Sequence, residues 1–109
     1  ITLLAEGANM PCSPKAIDIL QDSEILYAPG KSSNAGGVAV SGLEMSQNRR
    51  GIYWERDEVD QQLKNIMKDI HDECLKTAEA YGVPGNYLEG ANIFAFSKVA
   101  RAMQAQGVV

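Results

Sequence analysis

The sequence predicts an α/β fold that is predominantly helical, with two short parallel strands followed by long helices. Three observations predict it. Residues 1–30 alternate short apolar runs with one helical stretch, the β–α–β rhythm of a parallel sheet. Residues 57–81 repeat apolar side chains at three- and four-residue intervals. Between them, proline and glycine fall where elements must end.

The first run, Ile1-Thr2-Leu3-Leu4-Ala5, reads as a buried strand ending at Glu6-Gly7. Ser13-Pro14 then pairs an N-cap hydroxyl with a proline at the first helical position, opening a helix through Ala16, Ile17, Ile19 and Leu20. Ile25 to Ala28 is a second strand, passing into a loop at Pro29-Gly30. A glycine-containing helix follows from Asn34 to about Gln47, with Asn34 or Ser33 as its cap. In the helix over residues 57–81, Val59, Leu63, Ile66, Met67, Ile70, Cys74, Ala78 and Tyr81 form the packing face. Asp60, Lys64, Lys68, Asp72, Lys76 and Glu79 form the solvated one. Gly82-Val83-Pro84-Gly85-Asn86 breaks the chain, and a last helix runs from Leu88 to Gln106, stopped by Gly107. Ile93, Phe94, Phe96 and Val99 make that helix apolar around much of its circumference, so it needs cover on several sides.

Two parallel strands leave unpaired backbone groups on both edges and are not a stable sheet alone. With the abrupt apolar start, this predicts a piece of a longer polypeptide. The tetrapeptide Glu-Gly-Ala-Asn occurs at 6–9 and again at 89–92, after a strand and at a helix start respectively, and reads as coincidence.

Composition narrows the function classes. A net charge of −4 with scattered cations supplies no basic footprint for nucleic acid. No apolar run reaches the ~20 residues that span a bilayer, so no membrane partner is expected. Cys12 and Cys74 stand far apart outside any CxxC pattern, and with His71 as the single histidine no metal cluster can be assembled. They read as free, reduced thiols of a cytoplasmic protein, and His71 as a structural residue of a packing helix.

The segment Ala28-Pro29-Gly30-Lys31-Ser32-Ser33-Asn34-Ala35-Gly36-Gly37-Val38-Ala39-Val40-Ser41-Gly42 carries the chemistry. Glycine in a helix interior costs about 0.5–1 kcal/mol relative to alanine. Gly36, Gly37 and Gly42 therefore require a compensating close approach, by a ligand or another backbone. Asn34, Val38 and Ser41 share one helix face, offering an amide, an apolar patch and a hydroxyl. That face lies near a helix N-terminus, where free N–H groups suit an acceptor or anion. It would line a pocket at the carboxyl ends of parallel strands. On spacing alone, a glycine-mediated helix contact explains the segment equally well.

Glu6-Gly7-Ala8-Asn9-Met10-Pro11, followed by Ala28-Pro29-Gly30-Lys31 and Asn34-Ala35-Gly36-Gly37-Val38, resembles the amino-acid dehydrogenase superfamily. Val40-Ser41-Gly42-Leu43-Glu44-Met45-Ser46-Gln47-Asn48 is similar to its hexameric glutamate dehydrogenase branch. So are Ile66-Met67, Asp69-Ile70-His71, Gly90-Ala91-Asn92-Ile93, Ala102-Met103 and Ala105-Gln106-Gly107. The resemblance covers the whole chain. It implies the C-terminal part of a Rossmann-like dinucleotide-binding domain over residues 1–86. Residues 87–109 would then be a C-terminal helix returning to a substrate domain that precedes it.

Carried over by position, the resemblance places Asn9 beside the nicotinamide ribose and Asn34 at the nicotinamide carboxamide. Gly36 and Gly37 keep the helix start open to the cofactor. Val38 packs on the carbon chain of the substrate, and Ser41 donates to its side-chain carboxylate. The leucine and phenylalanine enzymes of the superfamily share Asn-Ala-Gly-Gly but lack a matching serine, so Ser41 discriminates. Cys12 departs from the small polar residue the family shows after Met-Pro, outside the motif. The family's catalytic lysine and aspartate belong to the preceding domain, so no residue here is catalytic, and Lys31 reads as a loop lysine near the cleft. The resemblance implies NADP, with NAD possible, as cofactor. It implies L-glutamate, 2-oxoglutarate and ammonia as reactants, and a hexameric homo-oligomer. The 109 residues alone would be inactive. A dehydrogenase of another amino acid and a non-catalytic helical interaction module stand as the alternatives.

Overall fold

The computed structural model describes residues 1–108. Its elements are β1 (Leu3–Ala5), α1 (Pro14–Gln21), β2 (Leu26–Ala28), α2 (Gly30–Ser33), α3 (Ala35–Arg50), α4 (Arg56–Ala80) and α5 (Tyr87–Gln106). The strands pair in parallel, with Leu4 opposite Tyr27, and α1 forms the crossover between them. Ser13 caps α1 as its sequence requires, its hydroxyl accepting from Ala16 N at 3.4 Å ahead of Pro14. Asn86 caps α5, accepting from Glu89 N at 3.0 Å, and the N–H of Gly107 closes the other end on the Met103 carbonyl. The long helix α4 opens with a capping box in which Glu55 and Glu58 each accept from the other's backbone N–H.

Three expectations need correction. The residues after β2 do not pass into a loop: Pro29 caps the short helical turn α2, because its fixed φ suits a helix entry and Gly30 follows in helical geometry. Neither Asn34 nor Ser33 caps α3 through its side chain. Asn34 occupies the N-cap position, but its amide is turned to another loop, and the Ser33 hydroxyl is engaged by backbone carbonyls. Nor are the strands buried on both faces. Leu4 and Tyr27 face the helices, while Leu3 and Leu26 stay exposed because nothing among the described residues packs over them.

The helices assemble on α4. Its predicted apolar stripe is covered from Val59 to Ala78, α3 and α5 both pack on it, and α5 also touches β2. Tyr81, just past the helix end, is exposed instead. The α4–α5 crossing is close because Gly90 has no side chain: a Cβ there would come within 3.0 Å of the Cys74 carbonyl oxygen. Cys74, Ala78 and Ala91 are buried around it. On the far side of α5, Phe96 and Val99 remain exposed, so only part of that all-round apolar helix is covered within this chain.

Gly90→Ala should therefore overpack a backbone-to-backbone contact and lower stability by roughly 3 kcal/mol. Gly42→Ala meets no heavy atom within 4 Å and should raise stability by about 0.5–1 kcal/mol. Urea denaturation of the two variants checks the contrast, since helix propensity alone would have both substitutions stabilise.

Candidate functional site

The carboxyl ends of β1 and β2 open side by side, and the turns that follow them are laced together. Glu6 N donates to the Ala28 carbonyl at 3.0 Å, extending the ladder one residue past the strands. The Ser33 hydroxyl donates back to the Glu6 carbonyl at 2.5 Å. Glu6 Oε2 accepts from Gly30 N at 2.8 Å. Beyond these, Asn34 Nδ2 donates to Asn9 Oδ1 at 2.7 Å. Gly30 is indispensable to this arrangement, since a Cβ would lie within 3.0 Å of the Ala8 carbonyl oxygen. Met10, next to Asn9, holds a left-handed φ of 54°. Such strain in a non-glycine residue persists only where the surroundings impose it.

Glu6 is 6% exposed, an unusual place for a carboxylate. Burial alone would raise its pKa. The Gly30 N–H and the nearby Cys12 and Tyr27 protons outweigh burial and hold the carboxyl below its ordinary value. The same crowding acts on its neighbours in the opposite sense. Burial, then the Glu6 charge, pushes the Tyr27 hydroxyl up to about 12, and the Glu6 carboxylate raises the Cys12 thiol. Glu6 Oε1 and the Tyr27 hydroxyl are both buried without a partner at hydrogen-bond distance.

The residues singled out by sequence lie about the α2–α3 junction, though not all on one side. Asn9 and Asn34 meet directly. Val38 projects into the open at 74% exposure. Ser41 is exposed too, its hydroxyl donating to the Gly37 carbonyl at 3.2 Å. Gly37 faces open space, whereas Gly36 faces α4, where an added Cβ would touch Leu63 and Met67 at ordinary contact distance. The two close approaches required by glycine are thus at Gly30 and Gly90, not at Gly36, Gly37 or Gly42. Lys31 donates to Asn92, so the second Glu-Gly-Ala-Asn also reaches this region, from α5. His71 packs against the Tyr87 ring, with centroids 5.5 Å apart.

Sequence reasoning missed Glu6 and Gly30 as parts of the site. Their signal was an acidic residue closing an apolar strand and a glycine directly after the Pro29 that ends the next one. Among the described residues, no group of three or more His, Cys, Asp or Glu could hold a metal ion, and no helix is long and apolar enough to cross a membrane.

Parallel strands joined by a helix, with polar side chains gathered where their carboxyl ends open, define an α/β protein of the kind that binds ligands at that edge. The chain belongs to the Glutamate/Leucine/Phenylalanine/Valine dehydrogenase family, whose model matches residues 1–107. It is 56% identical over 105 residues to the NAD(P)-specific glutamate dehydrogenase of Xylanibacter ruminicola, covering 96% of this chain and 24% of that protein. It is 50% identical over 109 residues to the NADP-specific glutamate dehydrogenase of Escherichia coli, covering 100% of this chain and 24% of that one. The crystal structure of Plasmodium falciparum glutamate dehydrogenase superposes with a TM-score of 0.92 at 45% identity, over 98% of this chain and 23% of its own. The chain thus spans about a quarter of the length of the curated relatives it matches.

The shifts at Glu6 and Tyr27 contribute to the pH dependence of stability. A depressed carboxyl stabilises the fold above its unfolded value, and that contribution is lost as pH falls through the folded one. Tyr27, raised from 10.0 to about 12, contributes fully below pH 10.0 and loses its contribution as pH rises through about 12. Denaturation midpoints measured across pH should show both limbs, and Glu6→Gln should flatten the acid one.

Proposed function

We propose that this chain works as the cofactor- and substrate-facing part of a glutamate dehydrogenase. That enzyme reversibly deaminates L-glutamate to 2-oxoglutarate and ammonia, with hydride passing between the substrate Cα and a nicotinamide. The observation that carries the reading is the one helix face shared by half-buried Asn34 and exposed Val38 and Ser41, with Asn9 bonded to Asn34 at its cofactor end. An amide pair suits the nicotinamide carboxamide and ribose, which need both donors and acceptors. Val38 offers its apolar surface to the methylenes of the substrate. Ser41 can turn its hydroxyl outward from the helix carbonyl to meet the side-chain carboxylate, a group heavily penalised in any pocket without a donor. Gly37 leaves room for the cofactor, and Gly36 belongs to the same helix start on the side facing α4.

In this reading the segment's contribution is geometric: the nicotinamide and the substrate carbon are brought to attack distance, and the cofactor supplies the redox chemistry. The lysine and aspartate that handle protons, and the groups that select NADP or NAD, lie outside this chain. NADP is the favoured cofactor, with NAD as the alternative. Residues 1–86 complete the dinucleotide-binding domain, and residues 87–109 return to the substrate domain in a cytoplasmic homo-oligomer, a hexamer. The exposed Phe96 and Val99 on α5 support that return.

The full-length polypeptide carrying this segment should oxidise NADPH in the presence of 2-oxoglutarate and ammonium. Ser41→Ala should lower kcat/KM for 2-oxoglutarate by roughly tenfold to a hundredfold while leaving the dinucleotide KM unchanged. Kinetics identical to the unmodified enzyme would remove Ser41 from the site. A substrate panel in which leucine or phenylalanine outpaces glutamate would replace glutamate as the substrate.

A further inference from the structure

We infer that Glu6 is a positioning residue for the dinucleotide: its buried carboxylate clasps the α2 turn and thereby sets the Asn9–Asn34 pair, without itself touching cofactor or substrate. The inference rests on the functional reading above and extends it to a residue that the site motif alone does not single out.

The geometry concentrates on Glu6. It binds the β2–α2 segment three ways: through its N–H to the Ala28 carbonyl, its carbonyl to the Ser33 hydroxyl and its carboxylate to Gly30 N. The two ends of this clasp lead directly to the two asparagines. Asn9 lies three residues after Glu6, and Asn34 follows Ser33. Between them, Gly30 rests on the Ala8 carbonyl so closely that no side chain fits, so the loop and the turn cannot slide independently. The left-handed Met10 beside Asn9 shows that the loop is held out of its relaxed shape. A charged acceptor is suited to this task because a hydrogen bond to an ionised group in a buried place is stronger and shorter than a neutral one.

The substrate end of the face is anchored separately. The α3 helix packs on α4, with Gly36 facing Leu63 and Met67. Loss of the Glu6 clasp should therefore loosen the cofactor end and spare the substrate end. That separation distinguishes positioning from general structural support, which would disturb both.

The test uses the full-length enzyme with dinucleotide binding followed by NADPH fluorescence, alongside steady-state kinetics. Glu6→Ala should weaken NADPH binding roughly tenfold with the KM for 2-oxoglutarate unchanged. Glu6→Gln keeps an acceptor oxygen for Gly30 N and should bind NADPH within about threefold of the unmodified enzyme. Should Glu6→Ala fail to fold, Glu6→Asp, which withdraws the acceptor by one methylene, should show the same selective weakening. Binding equal to the unmodified enzyme in Ala or Asp overturns the inference, as does a parallel rise of both constants. An unmodified enzyme that binds neither NADPH nor NADH would overturn the functional reading itself, so the two failures are distinguishable.

Discussion

The architecture depends on two helices coming together at a glycine. Where α5 crosses α4, Gly90 lies against the Cys74 carbonyl, with Cys74, Ala78 and Ala91 buried around the crossing. Dispersion and exclusion of water act over the whole length of such a crossing, and small residues set how close it can be. From this pair the rest is placed. The α3 helix packs on α4, α5 touches β2, and Lys31 reaches from α2 to Asn92 on α5. The helices thus fix the position of the strand ends, and a two-stranded sheet that would be marginal alone gains one covered face.

At those strand ends the balance changes from packing to polar chemistry. Glu6 carries a buried carboxylate whose desolvation opposes folding, offset by the Gly30 N–H and the surrounding protons. Glu6 Oε1 and the Tyr27 hydroxyl are buried here without a partner at hydrogen-bond distance. Polar groups retained at such a cost, beside a strained Met10 and two mutually bonded asparagines, are characteristic of a site that organises a ligand. The apolar part of the chain supplies the frame, and this cluster supplies direction.

Much of the fold was legible in the residues because the relevant information is local. Ser13-Pro14 caps its helix as written, and the stripe from Val59 to Ala78 is the packing face of α4. Both follow from bonds and side-chain positions within one helical turn. The boundaries that shifted, at Pro29-Gly30 and at Asn34, lie where local and distant partners compete for the same groups. The Asn34 amide was free to cap its own helix, but it is bonded to Asn9 instead. The membership of Asn34, Val38 and Ser41 in one face was also readable, since it depends only on helical spacing.

The sequence by itself determined the strands, the long helices and the side of α3 that carries the polar and apolar groups, all set by residues close along the chain. The β–α–β rhythm implied the parallel pairing that joins residues 23 apart. Only the tertiary structure decided which glycines matter for close approach, namely Gly30 and Gly90, and that Glu6 is a buried clasp instead of a solvated strand end. Those outcomes depend on backbones brought together from distant parts of the chain, where a missing Cβ or a buried charge has consequences that no local pattern records.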